Sequence, residues 1–124
     1  MRYMTIVKAA EPFGVPPPAL LEAIGKLAEE ATRAGVFVET AGLAPTAEGT
    51  RVRLSDGRIS VTDGPFTEAK EVVGGYAIFD VDSKEEVLEW TRRFMELHKR
   101  HWPDWEGETE VRQMAIMGPP PHRQ

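Results

Sequence analysis

The sequence predicts an α+β fold whose elements run strand, helix, strand, hairpin, strand, helix, strand. Three observations lead there. Two stretches repeat apolar residues at helical spacing, short β-branched or aromatic runs lie between them, and one Asp-Gly pair is flanked by alternating arms. At 124 residues the chain is expected to form one domain, 1–118, with 119–124 as a tail.

The first run, Tyr3, Met4, Thr5, Ile6, Val7, alternates as a strand, with Met4 and Ile6 on one face and Tyr3, Thr5 and Val7 on the other. Four prolines within 11–18 break it and read as a loop delivering a helix, Pro18 being acceptable in a first turn. From 19 to 34 the residues Leu20, Ile24, Leu27 and Ala31 fall on one stripe, opposite Glu22, Lys26, Glu29, Glu30 and Arg33. Gly35 then ends the helix as a left-handed cap. Residues 36–40, Val-Phe-Val-Glu-Thr, have strand composition.

Residues 50–54 and 58–62 read as the arms of a hairpin. Both turn positions of a tight primed turn need positive φ, which Asp56-Gly57 accepts. The stretch 76–81 is apolar on both faces, as a central strand covered on both sides would be. Ser83 and Glu86 make a capping box for a second helix, whose stripe is Val87, Trp90, Phe94 and Leu97. Glu85 and Glu86 at its start and Lys99 and Arg100 at its end suit the helix dipole, and Pro103 stops it. Residues 110–117 read as the last strand. Without the hairpin the order is βαββαβ, the ferredoxin-like pattern.

Composition narrows function by exclusion. Fifteen Lys and Arg against twenty Asp and Glu give a net charge of −5, without any block of five like charges, so no nucleic-acid partner is expected. The absence of cysteine excludes disulfides, thiolate metal sites and thiol nucleophiles. No apolar run has the length of a membrane span and the start lacks a signal-peptide core, so no membrane association and a cytoplasmic location are expected.

The candidate chemistry centres on Asp63-Gly64-Pro65-Phe66-Thr67-Glu68-Ala69-Lys70-Glu71, where turn residues and four charges precede the central strand. Pro65 has no amide hydrogen, so the Asp63 carboxylate is expected to cap Phe66 or Thr67, or to stay free. This run, with Gly75-Tyr76, the segment 81–86 and the step Ala41-Gly42-Leu43-Ala44-Pro45, closely resembles the signature of the YCII-related proteins known as the DGPF family. The resemblance extends from about Tyr3 to Met117. It implies a ferredoxin-like domain that pairs into a dimeric α/β barrel, and it does not imply a reaction. Such relatives are often found in company with extracytoplasmic-function sigma factors, which supports a regulatory or protein-interaction module as the alternative to an enzyme. Many also carry a histidine on or near the first helix, thought to form an acid/base dyad with an aspartate. Here that helix has none, and the histidines are His98, His101 and His122.

Two sites follow as expectations. If Met4, Ile6, Met114 and Ile116 face the helices, then Tyr3, Thr5, Val7, Val111, Gln113 and Ala115 form the opposite face, either a homodimer interface or a cleft for a small molecule. Asp63 is the candidate acid or base at the mouth of that cleft, with Gly64, Pro65, Phe66, Glu68, Lys70 and Tyr76 beside it. Its structural alternative is a turn cap with Glu68, Lys70 and Glu71 paired on the surface. His98 and His101 have metal-binding spacing but no clear third ligand, and the helix-capping reading is preferred. The aromatic cluster Trp102-Pro103-Asp104-Trp105 is expected to pack on a dimer partner or on the hairpin. Gly74-Gly75 is no phosphate loop, since it leads into a strand, and reads as a bulge or a close backbone approach. No cofactor and no metal are expected.

Overall fold

The computed structural model describes residues 1–66 and 70–115. Strand β1 (Arg2–Ala9) leads through the proline loop to helix α1 (Pro18–Arg33) and strand β2 (Phe37–Gly42). A short 3-10 turn (Thr46–Glu48) precedes β3 (Thr50–Ser55) and β4 (Arg58–Asp63). Then come β5 (Val72–Asp80), α2 (Lys84–His101) and β6 (Glu108–Gln113). The fold is α+β. Four strands form an antiparallel sheet in the order β2-β5-β1-β6, and β3 and β4 pair as a separate two-stranded sheet. No helix among the described residues is long and apolar enough to cross a membrane.

Local chemistry explains the boundaries. Pro18 opens α1 because its missing N–H costs nothing in a first turn, and no side chain caps that end. At the other end Gly35 has φ +77°, and the amides of Gly35 and Val36 donate to Thr32 and Ala31, which satisfies the last carbonyls. At α2 the Glu86 amide donates to Ser83 Oγ at 3.2 Å, while the Glu86 carboxylate accepts from the Asp82 amide, one residue earlier than a reciprocal box would place it. Asp56 and Gly57 have φ of 53° and 72°, the primed turn expected of that pair.

Both helices pack on one face of the sheet. Cross-strand pairing puts Tyr3 with Phe79 and Gln113, and Thr5 with Ala77 and Val111, on that face. Tyr3, Phe79, Val81 and Val36 form the core with Ala31 and Val87 from the helices. Phe79 meets Phe37 edge-on at 5.5 Å and stacks on Trp90 at 6.5 Å. The expected sidedness of the sheet is therefore reversed. Met4 and Ile6 pair with Ile78 and Tyr76 on the far face, and Met114 is exposed beyond the end of β6. Ile116 and the 119–124 tail lie outside the described residues. The far face also carries Lys8, whose Nζ lies 2.8 Å from Glu110, itself 2.7 Å from Arg112.

Glycine is required where backbones meet. Gly74 stands opposite no residue of β1, where the register shifts between Val7 and Lys8, so it forms a bulge. A Cβ on Gly75 would lie 2.9 Å from the Ala41 carbonyl. The sequence reading offered a bulge or a close approach, and these adjacent glycines provide one each.

Candidate functional site

Helices pack well on a sheet only where side chains fill the space between them. Here the sheet offers Thr5, Val7, Gly75 and Ala77, and the edge strand adds Ala41 and Gly42. These side chains are too short to reach the helices, which leaves a cavity of about 460 Å³. Helix α1 walls it with Leu21, Ile24, Leu27 and Ala28, and α2 with Trp90, Thr91, Phe94 and His98. The proline loop contributes Phe13 and Gly14, and the chain after α2 folds back to bring in Trp102 and Trp105.

Among the described residues the lining contains no aspartate, glutamate, lysine or arginine. Its hydroxyls are engaged as donors: Thr5 to the Ala77 carbonyl at 3.4 Å, Thr40 to Tyr76 at 2.7 Å, Thr91 to Val87 at 2.8 Å and Thr109 to Met95 Sδ at 3.2 Å. A ligand would therefore meet aromatic and aliphatic walls and few free donors.

His98 is the polar exception. It continues the stripe of α2, four residues after Phe94, so the helix turns it inward, and it is buried. Its ring lies 4.6 Å from Phe94 and 4.6 Å from Trp105, centroid to centroid. Nδ1 is 3.0 Å from the Phe94 carbonyl, a pure acceptor, so Nδ1 carries the hydrogen. Burial holds the pKa of the ring below the usual histidine value, against the smaller opposing effect of the Phe94 bond. The periodicity 87, 90, 94, 98 was the sequence signal for this residue, hidden by its place among the cations of the last turn. His101 stays on the helix as half-buried surface. No group of three or more metal-ligating side chains occurs among the described residues.

The residues expected at the site separate. Thr5 lines the cavity, Tyr3 is core beside it, and Gln113 is exposed at the end of β6. Tyr76 contributes to the lining, but its hydroxyl donates to Glu39 at 2.5 Å, and that bond raises its pKa. Asp63, Gly64, Pro65, Phe66 and Lys70 do not line the cavity, and Glu68 lies outside the described residues. Trp102 and Trp105 pack on the His98 end of the cavity, where a dimer partner or the hairpin was expected to receive them.

The motif instead joins three pieces of backbone. Asp63 is exposed, and its Oδ1 accepts from the Thr50 hydroxyl at 2.9 Å across the β3–β4 ladder. The Gly64 amide donates to Gly49 at 2.9 Å, and a Cβ on Gly64 would sit 1.8 Å from the Thr46 carbonyl oxygen, so only glycine fits. Thr46 is in turn gripped by Glu11 of the proline loop, donating its amide at 2.8 Å and its hydroxyl to the same carboxylate. Those two bonds hold the Glu11 carboxyl below its usual pKa. Phe66 lies under the Arg51 guanidinium, 3.8 Å from ring centroid to charge.

A model of the YCII-related domain matches residues 1–98, more than three quarters of the chain. The chain belongs to the YCII-related family. The matched part of this YCII-related protein runs from β1 to His98, so Trp102 and Trp105, which close the cavity, lie beyond it. An uncharacterized protein of Rhizobium meliloti (strain 1021) is 34% identical over 86 residues, which cover 69% of this chain and 65% of that protein. The chain thus spans a little under two thirds of that relative's length.

Proposed function

We propose that this YCII-related protein binds a small, uncharged and largely apolar molecule in the cavity between its helices and its sheet. The supporting observation is the lining: about 460 Å³ without a carboxylate, ammonium or guanidinium group among the described residues, its threonine hydroxyls already donating to protein acceptors. That volume falls within the range of about 300–1,000 Å³ common to small-molecule sites. The site lies within one chain, not in the intersubunit cleft that the sequence suggested, and Asp63 has no part in it.

The working assembly in this reading is a homodimer of ferredoxin-like units, the paired sheets forming an α/β barrel with the β3–β4 hairpin as an inserted arm. Its support is the strand order β2-β5-β1-β6, with helices on one face only and Met4, Ile6 and Ile78 on the other. A second reading, a protein-interaction or regulatory module, draws on the hairpin, whose apolar side chains are exposed.

The test is binding of N-phenyl-1-naphthylamine, a neutral dye that fluoresces in apolar surroundings, to the parent protein and to Ala28→Phe. Ala28 lines the cavity from α1, and the added ring would occupy the space. Saturable enhancement in the parent and its loss in a folded Ala28→Phe variant is the expected result. Equal binding by both, or none by the parent, would refute the reading.

A further inference from the structure

The polar end of the cavity has a definite hydrogen-bonding sense. Because His98 Nδ1–H is committed to the Phe94 carbonyl, the neutral ring presents Nε2 as a lone pair. Nε2 has no hydrogen-bond partner among the described residues, and no unpartnered side-chain nitrogen or oxygen among them is sealed from solvent. The ring therefore keeps an open edge, and it lines both the main cavity and a second hollow beside Lys99 and Glu106. Aromatic rings pack on the imidazole and share the cavity with it: Phe94 and Trp105 flank the imidazole, Trp102 stacks on Trp105 at 6.1 Å, and Phe13 and Trp90 also line the cavity.

Resting on the cavity reading above, we infer that the ligand is a flat aromatic molecule bearing a hydroxyl, held between the aromatic walls, with its O–H donated to His98 Nε2. The class follows from two complementarities. Ring faces stack on Phe and Trp with offset or edge geometry, and a lone acceptor in an uncharged pocket selects a donor, because a ligand without one leaves that nitrogen unpaired. A carboxylate or phosphate ligand fits poorly, since no lysine or arginine among the described residues lines the main cavity to offset its desolvation. Chemistry on the ligand is no part of this inference; His98 positions it.

The experiment compares 2-naphthol with 2-methoxynaphthalene, of the same shape but lacking the donor, on the parent protein, His98→Phe and His98→Gln. The parent should prefer 2-naphthol by about fivefold or more, the worth of one sheltered hydrogen bond. His98→Phe should bind both equally, and His98→Gln, whose amide can donate to Phe94 and accept from the ligand, should keep most of the preference. Should His98→Phe not fold, the ring nitrogen resonances of the parent decide: Nε2 should shift with 2-naphthol and not with the ether. Binding of both probes without preference overturns the role of His98 and leaves the cavity reading standing. Preference that survives in His98→Phe overturns it equally. Failure of both probes to bind the parent removes the cavity reading and this inference together.

Discussion

The two sheets of this protein treat apolar side chains in opposite ways. Between the four-stranded sheet and its helices, apolar groups enclose a volume. On the β3–β4 hairpin, Val52 and Val61 face each other across the ladder, as do Leu54 and Ile59, and all four are between 67% and 73% exposed. Burying a side chain of this size is worth roughly 1.5–3 kcal/mol, so the hairpin leaves several such contributions unused. An isolated two-stranded sheet is at best marginally stable. The Gly64 amide on Gly49 and the packing of Phe66 under Arg51 extend the pairing of its two arms at their base, and Glu11 of the proline loop bonds to Thr46 just before the first arm. The helix side thus lines a volume within one chain, whereas the hairpin leaves its apolar side chains exposed.

Unequal response to truncation is the sharpest consequence. Leu20→Ala, at one of the two most completely buried large side chains, should cost about 2–5 kcal/mol, read from chemical denaturation. A loss below about 1 kcal/mol would mean the helix side collapses around the gap and is not the rigid half of the comparison. On the hairpin, Leu54→Ser combined with Ile59→Ser should change the stability of the isolated chain by no more than about 0.5 kcal/mol. If a second copy covers this arm in addition to the far face of the four-stranded sheet, the same pair should weaken the dimer in sedimentation and alter the dependence of the melting temperature on protein concentration. An unchanged dimer would leave the arm outside the interface and the far face, with Met4, Ile6 and Ile78, as the surface to alter.

Acid should also separate the two regions. His98 has its pKa lowered in the fold, so between that lowered value and about 6.5 the unfolded chain binds the extra proton. Its contribution to stability is complete above the unfolded pKa and declines as pH falls from about 6.5 toward the folded value. His98→Phe should flatten this limb of the stability profile, measured by denaturation between pH 7 and pH 5. A limb of the same slope in the variant would assign the titration to another group.

The sequence disclosed these regions unequally, for physical reasons. The hairpin was legible because Asp56-Gly57 satisfies a local backbone demand, and the helices because Leu20, Ala31 and Val87 repeat at a period that burial confirms. Which face of β1 turns toward the helices was not legible. Met4 and Ile6 are as apolar as Tyr3 and Val7, so alternation defined two faces without ranking them, and cross-strand register with Phe79 and Val111 decided the matter. The cavity was illegible for a related reason. It arises from what Gly75, Ala77 and Gly42 lack, and from the return of Trp102 and Trp105 after α2, a tertiary event with no local signal.

The Asp63 motif was conspicuous in the sequence because charge, glycine and proline are conspicuous, and the structure gives Asp63 a bond from the Thr50 hydroxyl and Gly64 a close backbone approach. Asp63→Asn tests whether that is all. Asparagine keeps an oxygen to accept from the Thr50 hydroxyl, and the site is exposed, so the substitution should shift stability by no more than about 0.5 kcal/mol in thermal unfolding at fixed protein concentration. Because Asp63 does not line the cavity, naphthylamine binding should be untouched. A loss near 1 kcal/mol with binding intact would make the charge itself part of the joint between the hairpin and the turn. Weakened binding with intact stability would connect the motif to the cavity through a second copy of the chain, and would bring the acid/base reading of Asp63 back ahead of the structural one.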